Sequence, residues 1–134
     1  GFHVAAAIAV RGYALVIHYR TSAADAQETA EQFARAHGVP VHTIRADLAS
    51  EAEVKALVAG TLERFGRIDV LVNCAAIWER KRLEDVTAAD VRQHFEINTL
   101  GTFLTCQHAG LAMVAQPAGG CIVNFGDWAD ARPY

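Results

Sequence analysis

Apolar and polar positions along this chain follow two alternating rhythms. Short segments rich in apolar and β-branched residues occur at Tyr13–Tyr19 (Y-A-L-V-I-H-Y), Val41–Arg45, Arg67–Val72 and Cys121–Phe125, and Arg67–Val72 is nearly continuous in apolar residues. Their length and β-branched content predict strands. Between them, apolar residues recur three and four apart: Ala26, Ala30, Phe33 and Ala34 within Ala23–His37, and Val54, Leu57, Val58 and Leu62 after Ser50. That spacing gathers them on one face of a helix. Phe2 to Arg11 reads as a small-residue helix whose alanines permit close approach to a sheet, stopped by Gly12.

Punctuation residues sharpen these boundaries. Ser22 stands where an N-cap belongs, and Gly38-Val39-Pro40 breaks the helix that follows it. Ser50 precedes Glu53 by three residues, the spacing of a capping box, and Thr87-Ala-Ala-Asp90 reads as another helix start. From Asp90 to about Ala115 the pattern fits one long helix or two pieces broken near Gly101. Strands alternating with helices predict an α/β fold with a mostly parallel sheet. The apolar run Arg67–Val72 predicts a strand covered on both faces. Ligand-binding loops belong at the carboxyl ends of such strands.

Composition narrows the class. The 134 residues suit one domain, and 52% hydrophobic with 20% charged residues excludes a disordered chain. A net charge of −3 argues against nonspecific nucleic-acid binding. The basic triplet Arg80-Lys81-Arg82 is bracketed by Glu79 and Glu84, which predicts a solvated loop. No apolar run is long enough to span a membrane, and no secretory signal is evident. Cys74, Cys106 and Cys121 lack metal-ligand spacing and read as core thiols of a cytoplasmic protein. The six histidines form no His-x-x-x-His pair, so no metal site is expected.

Taken in order, Gly1, His18-Tyr-Arg-Thr-Ser22, Asp47-Leu48, Asn73-Cys-Ala-Ala76, Asn98 and Asn124-Phe-Gly-Asp-Trp128 resemble the short-chain dehydrogenase/reductase family. The resemblance covers essentially the whole chain and is closest to the pteridine-reductase-like branch. It implies a Rossmann-like doubly wound parallel sheet in three layers, with residues 1–134 forming part of a dinucleotide-binding domain. It implies that Gly1 and Phe2 lie where a helix N-terminus meets the cofactor's pyrophosphate. At the end of the second family strand, where NAD-preferring members place an acid, this chain has Tyr19, Arg20, Thr21 and Ser22. A cation and two hydroxyls there suit the extra phosphate of NADP. The other reading makes Arg20 a solvent-facing loop residue and Ser22 a cap.

The same resemblance places Asp47 and Leu48 beside the adenine. Cys74, Ala75 and Ala76 fall in a segment whose cofactor contacts are mainly backbone; Cys74 and Ala76 replace the family's Asn and Gly. Trp78 is implied to stack on a planar substrate, or else to pack as a loop aromatic. Asn98 is implied to hold a kink and a proton-relay water. Asp127 stands where the family normally has its catalytic serine, and a carboxyl group there can support proton delivery. Pterin-like substrates are the expectation. The alternatives are a carbonyl or 3-oxoacyl reductase and a nonenzymatic cofactor-binding protein. The family's Tyr-x-x-x-Lys pair falls past Tyr134, and its first strand falls before Gly1. The expectations are a parent enzyme about twice as long, an inactive and poorly folding fragment, and homo-oligomerisation through the Asp90–Ala115 region.

Overall fold

The computed structural model describes residues 1–127. Helix α1 (Phe2–Ala9) leads through a turn to strand β1 (Leu15–Tyr19). Helix α2 (Ala23–His37), strand β2 (Val41–Arg45), helix α3 (Glu51–Phe65) and strand β3 (Val70–Asn73) follow. A 3-10 turn (Leu83–Asp85) precedes helix α4 (Ala88–His94), a π-helical segment (Phe95–Leu100), helix α5 (Gly101–Val114) and strand β4 (Cys121–Asn124).

Glycines stop the first three helices where the chain must turn left-handed. Gly12 has φ +82°, Gly38 +66° and Gly66 +74°, conformations that cost glycine nothing. Thr87 and Asp90, read as a helix start, form a complete capping box. The box expected at Ser50 and Glu53 is only half made. Ser50 accepts the Glu53 N–H, but the Glu53 carboxylate turns instead to the Asp47 N–H at 2.9 Å and to Arg45 at 3.1 Å. Ser22 occupies the N-cap position of α2 without a side-chain cap hydrogen bond.

The strands form two parallel pairs rather than one sheet. β1 pairs with β2 from Leu15↔Val41 to Tyr19↔Arg45, and β3 pairs with β4 from Val70↔Cys121 to Asn73↔Asn124. Between β1 and β3 lies a cleft of about 640 Å³, lined by Leu15, Val16, Ile17 and His18 on one side and Val70, Leu71, Val72 and Asn73 on the other. Among the described residues neither facing edge has a ladder partner.

Three apolar clusters hold the layers. Ala9, Leu15, Phe33 and Val39 join α1 and α2 to β1. Leu48, Val54 and Leu104 join the β2–α3 loop and α3 to α5. Ile68, Ala109 and Met113 pack with Val58, Leu62 and Leu71. The predicted buried face of α2 holds at Ala26, Ala30 and Phe33, but Ala34 is exposed, where it borders a shallow groove beside Val41, His42 and Thr43 of β2. The expectation of coverage on both faces for the Arg67–Val72 strand is not met: Val70 is exposed and Leu71 and Val72 are only half-buried. Cys121 is likewise exposed at the start of β4, whereas Cys74 and Cys106 are half-buried. No helix of the described residues is long and apolar enough to cross a membrane.

Candidate functional site

The carboxyl ends of the strands carry most of the residues singled out from the sequence. The cleft between β1 and β3 is lined by Gly1, Phe2, Leu48, Cys74 and Ala75. Five separately predicted positions, from three stretches of chain, thus converge on one concavity. Arg20, Thr21 and Ser22 sit exposed between β1 and α2. Ala76 is exposed in the irregular segment after β3.

The bend after β2 is held from several sides. Ala46 is fully buried; its N–H donates to the Tyr19 carbonyl at 3.0 Å, and its own carbonyl accepts from His18 Nε2 at 2.8 Å. The Asp47 carboxylate accepts the Ala49 N–H at 3.0 Å, which closes a local turn. Leu48 is buried against Val54 and Leu104. Its backbone lies so near α5 that a side chain on Gly101 would begin 2.9 Å from Leu48 Cβ and 3.1 Å from its carbonyl oxygen.

Asn98 sits inside the π-helical segment and makes a two-point clamp. Its Oδ1 accepts the Ile77 N–H at 2.8 Å, and its Nδ2 donates to the Ile77 carbonyl at 2.9 Å. The wider helical turn alters the local hydrogen-bond ladder, and the Asn98 carbonyl accepts instead from Thr102 Oγ1 at 2.8 Å. The region from Ala88 to Val114 is therefore one continuous helical run with a π turn before Gly101, which resolves the choice between one helix and two. A second polar cluster ties the ends of β3 and β4 to α5. Asn73 Nδ2 donates to Asn124 Oδ1 at 2.8 Å and to Cys106 Sγ at 3.3 Å, and Thr105 Oγ1 donates to Asn73 Oδ1 at 2.8 Å.

Beyond Ile77 the chain enters an exposed loop. Trp78 is 71% exposed. Lys81 pairs with Glu79 and Asp90, and Arg82 pairs with Glu84, in keeping with the solvated loop expected of the basic triplet. Lys81 and the Thr87 donors hold the Asp90 carboxyl well below the usual carboxylate range. Asp127 is exposed in the irregular segment after β4. Trp128, Asp130, Arg132 and Tyr134 lie outside the described residues. Among the described residues no group of three His, Cys, Asp or Glu side chains converges to hold a metal ion.

Sequence reading missed the partners rather than the principals. Nothing in the pattern marked Ile77 as the backbone held by Asn98, His18 as the donor to Ala46, or Gly101 as the close contact of Leu48. Two of these were faintly signalled: His18 interrupts an apolar strand, and Gly101 interrupts an apolar helix.

This geometry and the ordered motifs define a dinucleotide-binding α/β oxidoreductase fold. The chain belongs to the short-chain dehydrogenase/reductase family: the family model described as enoyl-(acyl carrier protein) reductase matches residues 1–131. It is 34% identical over 125 residues to an uncharacterized oxidoreductase of Methylorubrum extorquens, covering 93% of this chain and 49% of that protein. It is 41% identical over 98 residues to a 2,5-dichloro-2,5-cyclohexadiene-1,4-diol dehydrogenase of Sphingobium indicum, covering 72% of this chain and 39% of that protein. Its fold is similar to that of an alcohol dehydrogenase from the archaeon Thermococcus sibiricus complexed with 5-hydroxy-NADP (TM-score 0.86, 28% identity, 96% of this chain and 54% of that one). It is also similar to a short-chain dehydrogenase from Burkholderia cenocepacia in complex with NADP (TM-score 0.87, 30% identity, 98% and 53%). The chain spans about half the length, or less, of the curated relatives it matches.

Proposed function

We propose that the full-length protein is an NADPH-dependent oxidoreductase acting at a C=O/CH–OH carbon. The observation that carries this reading is that Gly1 and Phe2 at the start of α1, Leu48 after β2, and Cys74 and Ala75 after β3 all border one cleft, with Leu48, Cys74 and Ala75 on loops at the carboxyl ends of their strands. In this reading residues 1–134 are part of a Rossmann domain, and one more parallel strand occupies the gap between β1 and β3. Bound NADPH supplies the hydride. Gly1 and Phe2 present the N-terminus of α1 to its pyrophosphate. Tyr19, Arg20, Thr21 and Ser22 receive the adenosine 2′-phosphate; Ser22 Oγ makes no cap bond in α2 and is available for it. Asp47 and Leu48 border the adenine, and Cys74, Ala75 and Ala76 approach the nicotinamide half through their backbone. Asn98 fixes the floor of the site through Ile77 and orders the proton path. Asp127 stands where it can hydrogen-bond the substrate and its proton donor.

The dinucleotides bound by the archaeal and Burkholderia structures support NADP as the cofactor. The diol dehydrogenase and a sorbitol dehydrogenase of Cereibacter sphaeroides, 33% identical over 105 residues, support alcohol–carbonyl chemistry. A second reading, reduction of a pterin-like ring, is favoured by one observation: Asp127 in place of the family's serine, with the exposed Trp78 available to stack on a planar ring. The exposed apolar stripe Phe103, Leu111 and Val114 on α5 points to a homo-oligomer, and an odd number of cysteines, none in a disulfide, suits the cytoplasm.

The cofactor reading is tested by comparing NADPH and NADH turnover in the full-length protein and its Arg20→Glu variant. Loss of the guanidinium raises the KM for NADPH by about tenfold or more while sparing NADH. Equal use of both cofactors by the unaltered protein would sink it. NADPH oxidation with a cyclic ketone against oxidation with a dihydropterin separates the two substrate readings.

A further inference from the structure

We infer that His18 is a positioning residue that sets the adenosine-binding bend, by joining the turn assigned above to the 2′-phosphate with the turn assigned to the adenine. The inference rests on the cofactor reading above.

The β1–β2 ladder ends at Tyr19↔Arg45. Beyond that rung the two chains diverge, one into Arg20–Ser22 and α2, the other into the Asp47 turn and α3. The Ala46 N–H still reaches the Tyr19 carbonyl at 3.0 Å. The Ala46 carbonyl, in a fully buried residue, accepts from the imidazole of His18 at 2.8 Å. The side chain thus adds a rung that the diverging backbones do not make, and Nε2 must carry the proton to do so. Without it a buried carbonyl loses a partner, and the bend is free to move away from β1.

Two other struts hold the same bend but tie it to different elements. Glu53 of α3 accepts the Asp47 N–H at 2.9 Å, and Gly101 of α5 admits the Leu48 backbone to close contact. Those two fix the bend to the helical layer. The His18 contact and the Ala46–Tyr19 backbone bond fix it to β1, from which Arg20, Thr21 and Ser22 emerge. The imidazole therefore governs the spacing between the two ends of the adenosine 2′-phosphate moiety. The clamp of Asn98 on Ile77, at the end proposed for the nicotinamide, does not involve it, although His18 borders the same cleft as Cys74 and Ala75.

The experiment uses the full-length protein and two half-cofactor probes. 2′,5′-ADP carries the adenosine and its 2′-phosphate, and reduced nicotinamide mononucleotide carries the hydride-donating half. In His18→Leu the Kd for 2′,5′-ADP rises about tenfold, as expected for one lost hydrogen bond to a buried carbonyl. Turnover with the mononucleotide stays within about twofold of the unaltered protein. His18→Gln places an amide N–H near the Nε2 position and returns the 2′,5′-ADP affinity to within about threefold. The inference is overturned if His18→Leu binds 2′,5′-ADP as tightly as the unaltered protein. It is overturned equally if His18→Gln is as weak as His18→Leu, or if mononucleotide turnover falls in parallel, since a general loss of structure moves all readouts together. An unaltered protein that binds neither 2′,5′-ADP nor NADPH removes the cofactor reading, and the inference with it. One that binds both, with no effect at position 18, removes the inference alone.

Discussion

Asn98 and Gly101 show how single side chains decide this site. Asn98 satisfies both backbone groups of Ile77, so truncation leaves an N–H and a carbonyl without their partners. Asn98→Ala should lower stability by roughly 1–3 kcal/mol, and Asn98→Asp should also cost stability because a carboxylate cannot donate to the Ile77 carbonyl. Thermal melts of the full-length protein check both, and an unchanged Tm for Asn98→Ala would contradict the clamp. At Gly101 two effects oppose each other. Alanine is the better helix former by about 1 kcal/mol. Its Cβ, however, would begin 2.9 Å from Leu48 Cβ and 3.1 Å from a backbone oxygen that cannot rotate away. Overpacking costs about 1–3 kcal/mol, so Gly101→Ala should destabilise on balance. The same melt series measures the sign, and a gain in Tm would show that the β2–α3 bend yields freely.

At the scale of elements, the start of α4 is tied to the loop before it. The Asp90 carboxylate accepts from Lys81 Nζ, the Thr87 N–H and Thr87 Oγ1. These contacts lower its pKa from an ordinary 3.8, first through Lys81 and then through Thr87. A depressed carboxylate contributes its stability above the unfolded pKa and loses it as pH falls through the folded one. The stabilisation is therefore full above about pH 4 and declines on further acidification. Asp90→Asn should flatten that acid limb in melts across pH 2–6; a limb of unchanged slope would show that the capping box does not couple to folding. On the same helical run, Phe103, Leu111 and Val114 fall within one exposed arc of α5. A Phe103→Glu/Leu111→Glu double variant should shift the full-length protein to a smaller species in light scattering after gel filtration. An unchanged mass would move the interface elsewhere.

For the whole molecule, the gap between the two strand pairs governs stability. The facing edges of β1 and β3 carry backbone donors and acceptors with no ladder partner among the described residues, and the walls are apolar. Open edges of this kind recruit other strands. Residues 1–134 produced alone should therefore melt without a sharp transition or self-associate, as judged by circular dichroism and light scattering. A soluble monomer with a cooperative melt would count against it. The arrangement also explains why the residues proposed to hold the cofactor lie near one another: within each strand pair the strands are parallel, so their carboxyl ends collect the loops.

Local signals by themselves determined the helices and strands and the family. Ser22 and Gly38 bracket α2, which runs over the predicted Ala23–His37, and Val41–Arg45 is the strand expected after the Gly38-Val39-Pro40 break. Such boundaries depend on neighbours a few residues apart, which a pattern records. Tertiary structure decided the rest. The π turn at Phe95–Leu100 accompanies a clamp to Ile77, 21 residues before Asn98, and the imidazole of His18 serves a carbonyl 28 residues on. The turn of Glu53 from its own helix cap to Asp47 and Arg45 was equally hidden, because a carboxylate near several donors goes where the fold presents the best geometry. Motif order singled out the residues proposed for the site. Folding in three dimensions alone revealed what holds them there, because the holding contacts join segments that no periodicity connects.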